Sequence, residues 1–541
     1  MERGGGGRNH RGGRVFCRPD HIRSSRKGEV GMSEQIGRKP TLAEALAVLF
    51  FSGVFIGAGV LYWEVSVHIP IVVAATLAAL VGRFVLKRPW TNIEEGMIQG
   101  IMMAMQAMLI LYIIGMIIGT WIPAGVVPSM ISYGLSILSP SVFLLTALII
   151  CSIVSLATGS SWSTAGTVGI AFMGIGAGLG IPAPVTAGII ISGAYVGDKM
   201  SPLSDTTNLA PAVAGTDLFQ HIRAMCWTTI PTYLVVCVIA TVMGFRYAGG
   251  SLDGAKISAI QAILAGEFHI SLLGFVPPII VIALCVAKCP AIPGLFSGVA
   301  AGAAMALMGG YSVGDVLGFT LDGYTAALAG EIAGAPDLGA VAKVLTDHQV
   351  VGLSPALARE VGGMLDTLLT RGGMMSMANT IALITCALSF GGIMERCGFL
   401  DVVLEAIMKM VRTVGGLVTS VIVSAVLSNL FLGDQYLSLV MPGRIFKSAF
   451  EKKGLHARML SRTLEDAGTM TSSLVPWNTC GAYMSGALGV PTAQYIPYAF
   501  LNWLNPLMAI LLTYLGIGVA WRGRGGEPVL ARTRPEELTH L

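Results

Sequence analysis

The sequence predicts an all-α polytopic membrane protein of about ten to twelve transmembrane helices. These are arranged as two inverted repeats, each with a polar-tipped hairpin and a broken helix. Three observations carry this prediction. Of the 541 residues, 54% are hydrophobic and only 12% are charged, against roughly 25% charged in soluble chains. Apolar runs fill most of the chain, many of them near the roughly 20 residues that a crossing takes. Polar, Pro- or Gly-broken segments interrupt those runs at corresponding places roughly 270 residues apart, a pattern that points to repeats built around a shared site.

Residues 1–39 carry ten Lys or Arg against four acids, with glycine runs and no apolar core. They read as a disordered basic tail, with Met32 as a more natural start than Met1. Apolar runs follow at 41–62, 67–87, 96–121, 140–158, 163–196 (with a break), 222–246, 268–287 and 291–309. A second set covers 375–394, 413–432, 436–450, 463–490 (broken again) and 497–521. The short stretch 127–138 reads as a segment at the membrane surface. The first transmembrane repeat is therefore 40–309 and the second 375–521. Residues 310–374, the least hydrophobic interior stretch, read as short amphipathic linking helices, and 522–541 as a C-terminal tail. Arg83, Lys87 and Arg88, the cluster from Arg444 to Arg462, and both tails should face the cytoplasm. That orientation predicts a multi-pass protein of the plasma or inner membrane with both termini inside. The 69 glycines suit close helix packing, and the nine scattered cysteines read as buried thiols.

The most polar interruption is Gly197-Asp-Lys-Met-Ser-Pro-Leu-Ser-Asp-Thr-Thr-Asn-Leu-Ala-Pro211. Such a segment survives at membrane depth only where protein or water-filled space surrounds it. Its ionisable groups mark an ion or substrate path. Three pairings relate the halves: Gly115–Gly125 with Gly391–Gly398, Gly159-Ser-Ser-Trp162 with Gly433-Asp-Gln-Tyr436, and the Asp198 segment with Asp466–Thr479. In each half a hairpin tip precedes the interrupted helix. Carboxylates, hydroxyls and freed carbonyls are the hard oxygen ligands that alkali cations take, by analogy with calcium sites. A carboxylate withdrawn from water holds its proton more tightly, because desolvation disfavours the charge. It can then trade a proton for a cation.

The predicted site comprises Asp198, Ser201, Ser204, Asp205, Thr206, Thr207 and Asn208 at the first break, with Thr158, Ser160 and Ser161 at the first tip. From the second half come Asp434, Gln435, Asp466, Thr469, Ser472, Ser473, Asn478 and Thr479. Asp198, Asp205 and Asp434 are the expected sodium ligands. Structural alternatives stand beside several of these. Lys199 could pair with Asp198, Asp205 could cap a helix, and Arg462 stands at ion-pair spacing from Asp466. Glu465 reads as a charge favouring a helix N-terminus. Trp162 and Trp477 read as packing residues, and Glu94 and Glu95 as first-turn charges.

Ser192-Gly-Ala-Tyr-Val-Gly-Asp-Lys-Met-Ser-Pro-Leu-Ser-Asp-Thr-Thr-Asn208, with the residues on to Asp217, resembles the signature of the NhaC-type sodium/proton antiporter family. So do Gly433-Asp-Gln-Tyr-Leu-Ser438, Met441-Pro-Gly-Arg444, Leu460-Ser-Arg-Thr-Leu-Glu-Asp466 and Val475-Pro-Trp-Asn-Thr-Cys-Gly481. The resemblance covers residues 40–520 and implies a secondary transporter that exchanges Na+ for H+ by alternating access, with scaffold and transport domains. Because relatives in the family include sodium/lactate–proton/malate exchangers, an organic-acid or amino-acid antiporter is the alternative. The expected partners are small cations and protons, a small organic acid or amino acid, and membrane lipid, with a homodimer compatible. No cofactor is expected beyond the transported Na+ and H+, and no nucleic acid. An enzyme is disfavoured: His68, His221 and His269 are separate, and Gly310-Tyr-Ser-Val-Gly314 lacks the preceding strand of a nucleophile elbow. No Gly-x-x-x-x-Gly-Lys-Ser/Thr motif provides for ATP.

Overall fold

Several helices of this chain start on hydroxyls or prolines and stop at glycines. The computed structural model describes residues 37–248 and 254–535; the expected basic tail, with Met32, lies outside the described residues except for its last three. Leu42–Leu61 opens on a reciprocal cap between Thr41 and Glu44. Pro140–Thr158 opens on a proline and ends at Gly159, where φ is +71°. Val414–Leu432 opens on the Thr413 hydroxyl and ends at Gly433, where φ is +69°. Left-handed backbone of this kind is accessible to glycine without steric cost.

Among the described residues, seven helices are long and apolar enough to cross a membrane. Three further bent pairs meet the same test together, so ten crossings result if each pair is one. The pairs are Trp90–Met103 with Met105–Trp121, Gly254–Glu267 with Leu272–Val286, and Thr492–Tyr498 with Phe500–Tyr514. The stretch expected as a broken run over 163–196 has its break at 179–182, between a helical segment that ends with Ile170–Gly178 and the helix Ala183–Met200. Gly180 at φ +72° and Pro182 at the cap reverse the chain between them. Val126–Ile137, expected at the membrane surface, buries its apolar face in protein against Ile170–Gly178, with Ile175 over Gly134 and Ile131 over Gly174.

The two halves repeat the same order of devices. Each hairpin's first arm ends in a left-handed glycine, and its second arm leads on to an interrupted helix. In the first half that helix is Ala183–Met200, broken, then Asp205–Ala214. In the second it is Ala457–Ser472, including a π-turn over Glu465–Thr469, then Thr479–Leu488. Their directions are opposed. Gly193 lies on Leu148 and Cys151 while Gly197 lies on Ser155, so Ala183–Met200 runs parallel to Pro140–Thr158. Leu464 meets Gly443 while Gly468 meets Ser438, so Ala457–Ser472 runs against the second hairpin's outgoing arm and with its incoming one. The interrupted helices cross antiparallel, with Lys199 at Asp466 and Tyr195 at Ser472. The hairpins therefore enter from opposite sides, which is an inverted repeat read directly from side-chain contacts.

Between the halves lie the short helices Val313–Asp322, Ala327–Gly334, Leu338–Asp347 and Pro355–Leu369. Their apolar stripes are covered at Val341, Leu345, Val361 and Leu365. Beyond Phe500–Tyr514 the described residues include a short β-hairpin. Ala520–Arg522 pairs antiparallel with Pro528–Leu530, and Trp521 is buried with its indole donating to the Ala531 carbonyl.

Candidate functional site

The two hairpin tips use one device with different chemistry. After Gly159, the Ser160 hydroxyl caps the next helix by accepting from the Ser163 amide at 3.1 Å. After Gly433, the Asp434 carboxylate caps its helix by accepting from the Tyr436 and Leu437 amides at 2.8 and 3.2 Å. Either side chain satisfies amides that a helix start leaves open. Trp162 stacks on Tyr483 from the second half, ring centroids 4.1 Å apart, and Tyr483 donates to the Trp162 carbonyl at 2.7 Å. Trp477 donates to the Leu430 carbonyl at 2.7 Å. Both tryptophans thus pack and brace.

Asp198 reaches the first tip because its neighbour is glycine. A Cβ on Gly197 would stand 2.0 Å from the Ser155 carbonyl carbon, so the helix lies directly on Pro140–Thr158. The buried Asp198 carboxylate then accepts from Ser161 at 2.7 Å and from Ser204 at 3.1 Å. Beyond the break, Thr206 and Thr207 donate back to the Asp198 carbonyl at 3.1 and 2.8 Å. Ser201 donates to the Leu156 carbonyl at 2.8 Å, and Asn208 to the carbonyls of Pro202 and Ser204 at 3.0 and 2.7 Å. These bonds satisfy backbone groups that the break releases from regular helix pairing. Ser204, not Asp205, is the cap residue of Asp205–Ala214; Asp205 is the first residue of that helix and its side chain is exposed.

Both tips and the first break open onto one cavity of about 460 Å³. Nine predicted residues line it: Thr158, Ser160, Ser161, Asp198, Asp205, Thr206, Asp434, Gln435 and Thr479. The three carboxylates share its wall but do not converge. Among the described residues, no three His, Cys, Asp or Glu side chains stand close enough to hold one ion together. The three expected sodium ligands, Asp198, Asp205 and Asp434, all line this one cavity. Asp434 spends one oxygen on its cap, and Asp198 is oriented by serines. A hard cation would find a single carboxylate with hydroxyls at each place, a chemically adequate oxygen set.

The other predicted residues stand behind the cavity. Asp466 is fully buried and pairs with Lys199, which therefore does not neutralise Asp198. Thr228 and Asn505 each donate to the same Asp466 oxygen at 2.8 Å, and Arg462 lies 3.6 Å from the other. Consecutive helix residues project about 100° apart, which is how adjacent Asp198 and Lys199 serve different surroundings. Ser472 donates to the Thr469 carbonyl, Ser473 accepts from Asn502, and Asn478 caps Thr479–Leu488 while donating to Asn429. Their hydrogen bonds serve the backbone and its supports, and none of the three lines this cavity. Sequence reasoning missed Lys288, Gln106, Tyr436 and Cys480 on the cavity wall. Lys288, a lone cation closing an apolar run with φ at +62°, is the one that carried a signal. Glu465, expected at a helix start, is buried within a π-turn instead.

The sequence pattern of the Na+/H+ antiporter family matches residues 193–358 and 339–517. The chain is 37% identical over 497 residues to the Na(+)/H(+) antiporter NhaC of Alkalihalophilus pseudofirmus, covering 92% of this chain and 99% of that one. It is 36% identical to the malate-2H(+)/Na(+)-lactate antiporter of Bacillus subtilis, over 88% of this chain and 96% of that one. It is 34% identical to the arginine/ornithine antiporter ArcD of Halobacterium salinarum, over 88% and 93% respectively.

Proposed function

We propose, from the premise that this chain belongs to the Na+/H+ antiporter family and is a transporter and not an enzyme, that it exchanges Na+ for H+ by alternating access. The single observation that carries this reading is Asp198. It is a buried carboxylate, held by Ser161 and Ser204, on the wall of the cavity where two oppositely directed hairpins meet. A cation entering there meets oxygen ligands only while the carboxyl gives up its proton, so the two substrates compete for one group. Broken helices paired across an inverted repeat supply the two alternative exposures. The protein is multi-pass, and we assign it to the plasma or inner membrane with both termini cytoplasmic.

Proteoliposomes loaded with a pH-sensitive dye test the reading. An imposed sodium gradient should drive proton movement in the opposite direction, and lithium should substitute more effectively than potassium. Sodium gradients that leave the internal pH at the protein-free rate would sink it.

A second reading has its own support. The cavity is roomier than a dehydrated alkali ion needs, and Lys288 shares its wall with the carboxylates, a combination suited to a small organic acid or amino acid. The relatives from Bacillus subtilis and Halobacterium salinarum are named for such substrates. Stimulation of sodium flux by lactate, malate or a basic amino acid would favour it; flux indifferent to all of them favours simple cation exchange.

A further inference from the structure

The second interrupted helix carries a carboxylate that neither cavity nor ion pair employs. Glu465 is fully buried in the π-turn Glu465–Thr469, and neither of its carboxyl oxygens has a hydrogen-bond partner. The Thr469 hydroxyl beside it is likewise buried without a partner. A buried carboxylate with no partner is costly unless it binds something. The turn packs against Asp205–Ala214, and the Thr206 hydroxyl from that helix stands next to the Glu465 carboxyl. Thr206 is 3.1 Å from Ser204, which is itself 3.1 Å from the Asp198 carboxylate. Two hydroxyls therefore stand between the hidden carboxyl and the one on the cavity wall, and a shift of the Glu465 side chain onto Thr206 would complete the chain.

We propose that Glu465 is a second proton-holding carboxyl of the exchange, connected to Asp198 through Thr206 and Ser204. The inference rests on the Na+/H+ reading above and adds a residue that its site does not contain. The step conserves every atom. The Glu465 carboxyl gives its proton to the Thr206 oxygen, Thr206 turns its hydroxyl from the Asp198 carbonyl and passes its own proton to Ser204, and Ser204 passes its own to the Asp198 carboxylate. Both hydroxyls end as they began, and Asp198 can then release the proton into the cavity. The charged and titratable groups around Glu465 are Asp198 and Lys199 from the crossing helix, Arg462 and Asp466 on its own helix, and His221, which is held by Ser461. Asn429, Ser438 and Asn505 reach the same turn as neutral groups, and Asp205, on the helix packed against it, is a further carboxylate.

The test uses the full chain in proteoliposomes under a clamped membrane potential. The potential at which net sodium flux vanishes, at known sodium and pH gradients, gives the number of protons moved per sodium. Glu465→Gln should lower that number by one and flatten the pH dependence, while exchange of labelled for unlabelled sodium continues. A Glu465→Gln protein with the wild-type proton count and pH profile overturns the inference. Glu465→Asp keeps a titrating group and decides the matter if the glutamine form does not accumulate: a displaced pH profile supports the inference, and a wild-type profile overturns it. Thr206→Val should slow proton movement and Thr206→Ser restore it; a valine form at the wild-type rate overturns the relay. Wild-type vesicles without sodium-driven proton movement would overturn the Na+/H+ reading and this inference together, whereas the other failures strike the inference alone.

Discussion

The two interrupted helices occupy mirrored positions but treat their acids in opposite ways. At the first break, Asp198 and Asp205 line the cavity, and the nearest hydroxyls either orient the carboxylate or close the released backbone. At the second, Asp466 is sealed against Lys199, Arg462, Thr228 and Asn505. A buried ion pair adds little net stability, yet removing one partner leaves an uncompensated charge. The pair joins one helix from each half where they cross, so it fixes their relation while staying clear of the cavity. Symmetry of backbone thus coexists with a division of labour between the two breaks: the first sets its acids on the cavity wall, and the second commits Asp466 to tying the halves together.

The largest effect expected from this contrast is on the cavity side. Asp198→Asn and Asp205→Asn should each abolish sodium-dependent pH recovery in everted vesicles while the protein accumulates at normal levels. If Asp205→Asn exchanges at full rate, it is not an obligatory proton carrier, and the first break would hold one working acid. On the sealed side, Lys199→Met should destabilise the fold by about 3–5 kcal/mol, read as thermal melting in detergent. Adding Asp466→Asn should recover part of that loss. If Lys199→Met melts normally but stops exchange, the division of labour fails.

Smaller effects sharpen the geometry. Gly197→Ala should cost roughly 1–3 kcal/mol, because overpacking forces the helices apart, and should weaken sodium dependence by withdrawing Asp198 from Ser161. Fluorescence-detected melting with sodium titration would separate the two consequences. At the second tip, Asp434→Ala should cost about 0.5–2 kcal/mol through loss of the cap, whereas Asn caps as well as Asp. Asp434→Asn should therefore melt like the wild type while its apparent sodium affinity falls. An unchanged affinity would assign Asp434 to capping alone.

Much of the architecture was legible because its signals are local. The tip motifs at Gly159 and Gly433 announce turns through a residue that tolerates positive φ, and the three paired segments keep one order and nearly one spacing. Glycines at 125 and 398, matched by that pairing, both adopt left-handed backbone at a helix start, with φ of +73° and +72°. The site was only partly legible. Asp198, Asp205 and Asp434 fall on the cavity wall as expected, but Thr469, Ser472 and Ser473 do not. A hydroxyl in a helix can serve a ligand or its own backbone equally well by sequence.

What the chain determined alone is its class, its family and its pairing of tips and breaks, since composition, turn residues and motifs are local signals; the inversion of the two repeats is read from contacts between distant segments. What only the tertiary structure decided is which acid faces space and which faces a base. Asp198 and Lys199 are adjacent, yet helical rotation and the crossing of two distant segments send one to the cavity and the other to Asp466. Glu465 and Asp466 diverge for the same reason, one without a hydrogen-bond partner and one enclosed by four side chains. A charge acquires its role from what packs around it, and some of those neighbours, Lys199 and Thr228 for Asp466, are contributed by residues more than two hundred positions away.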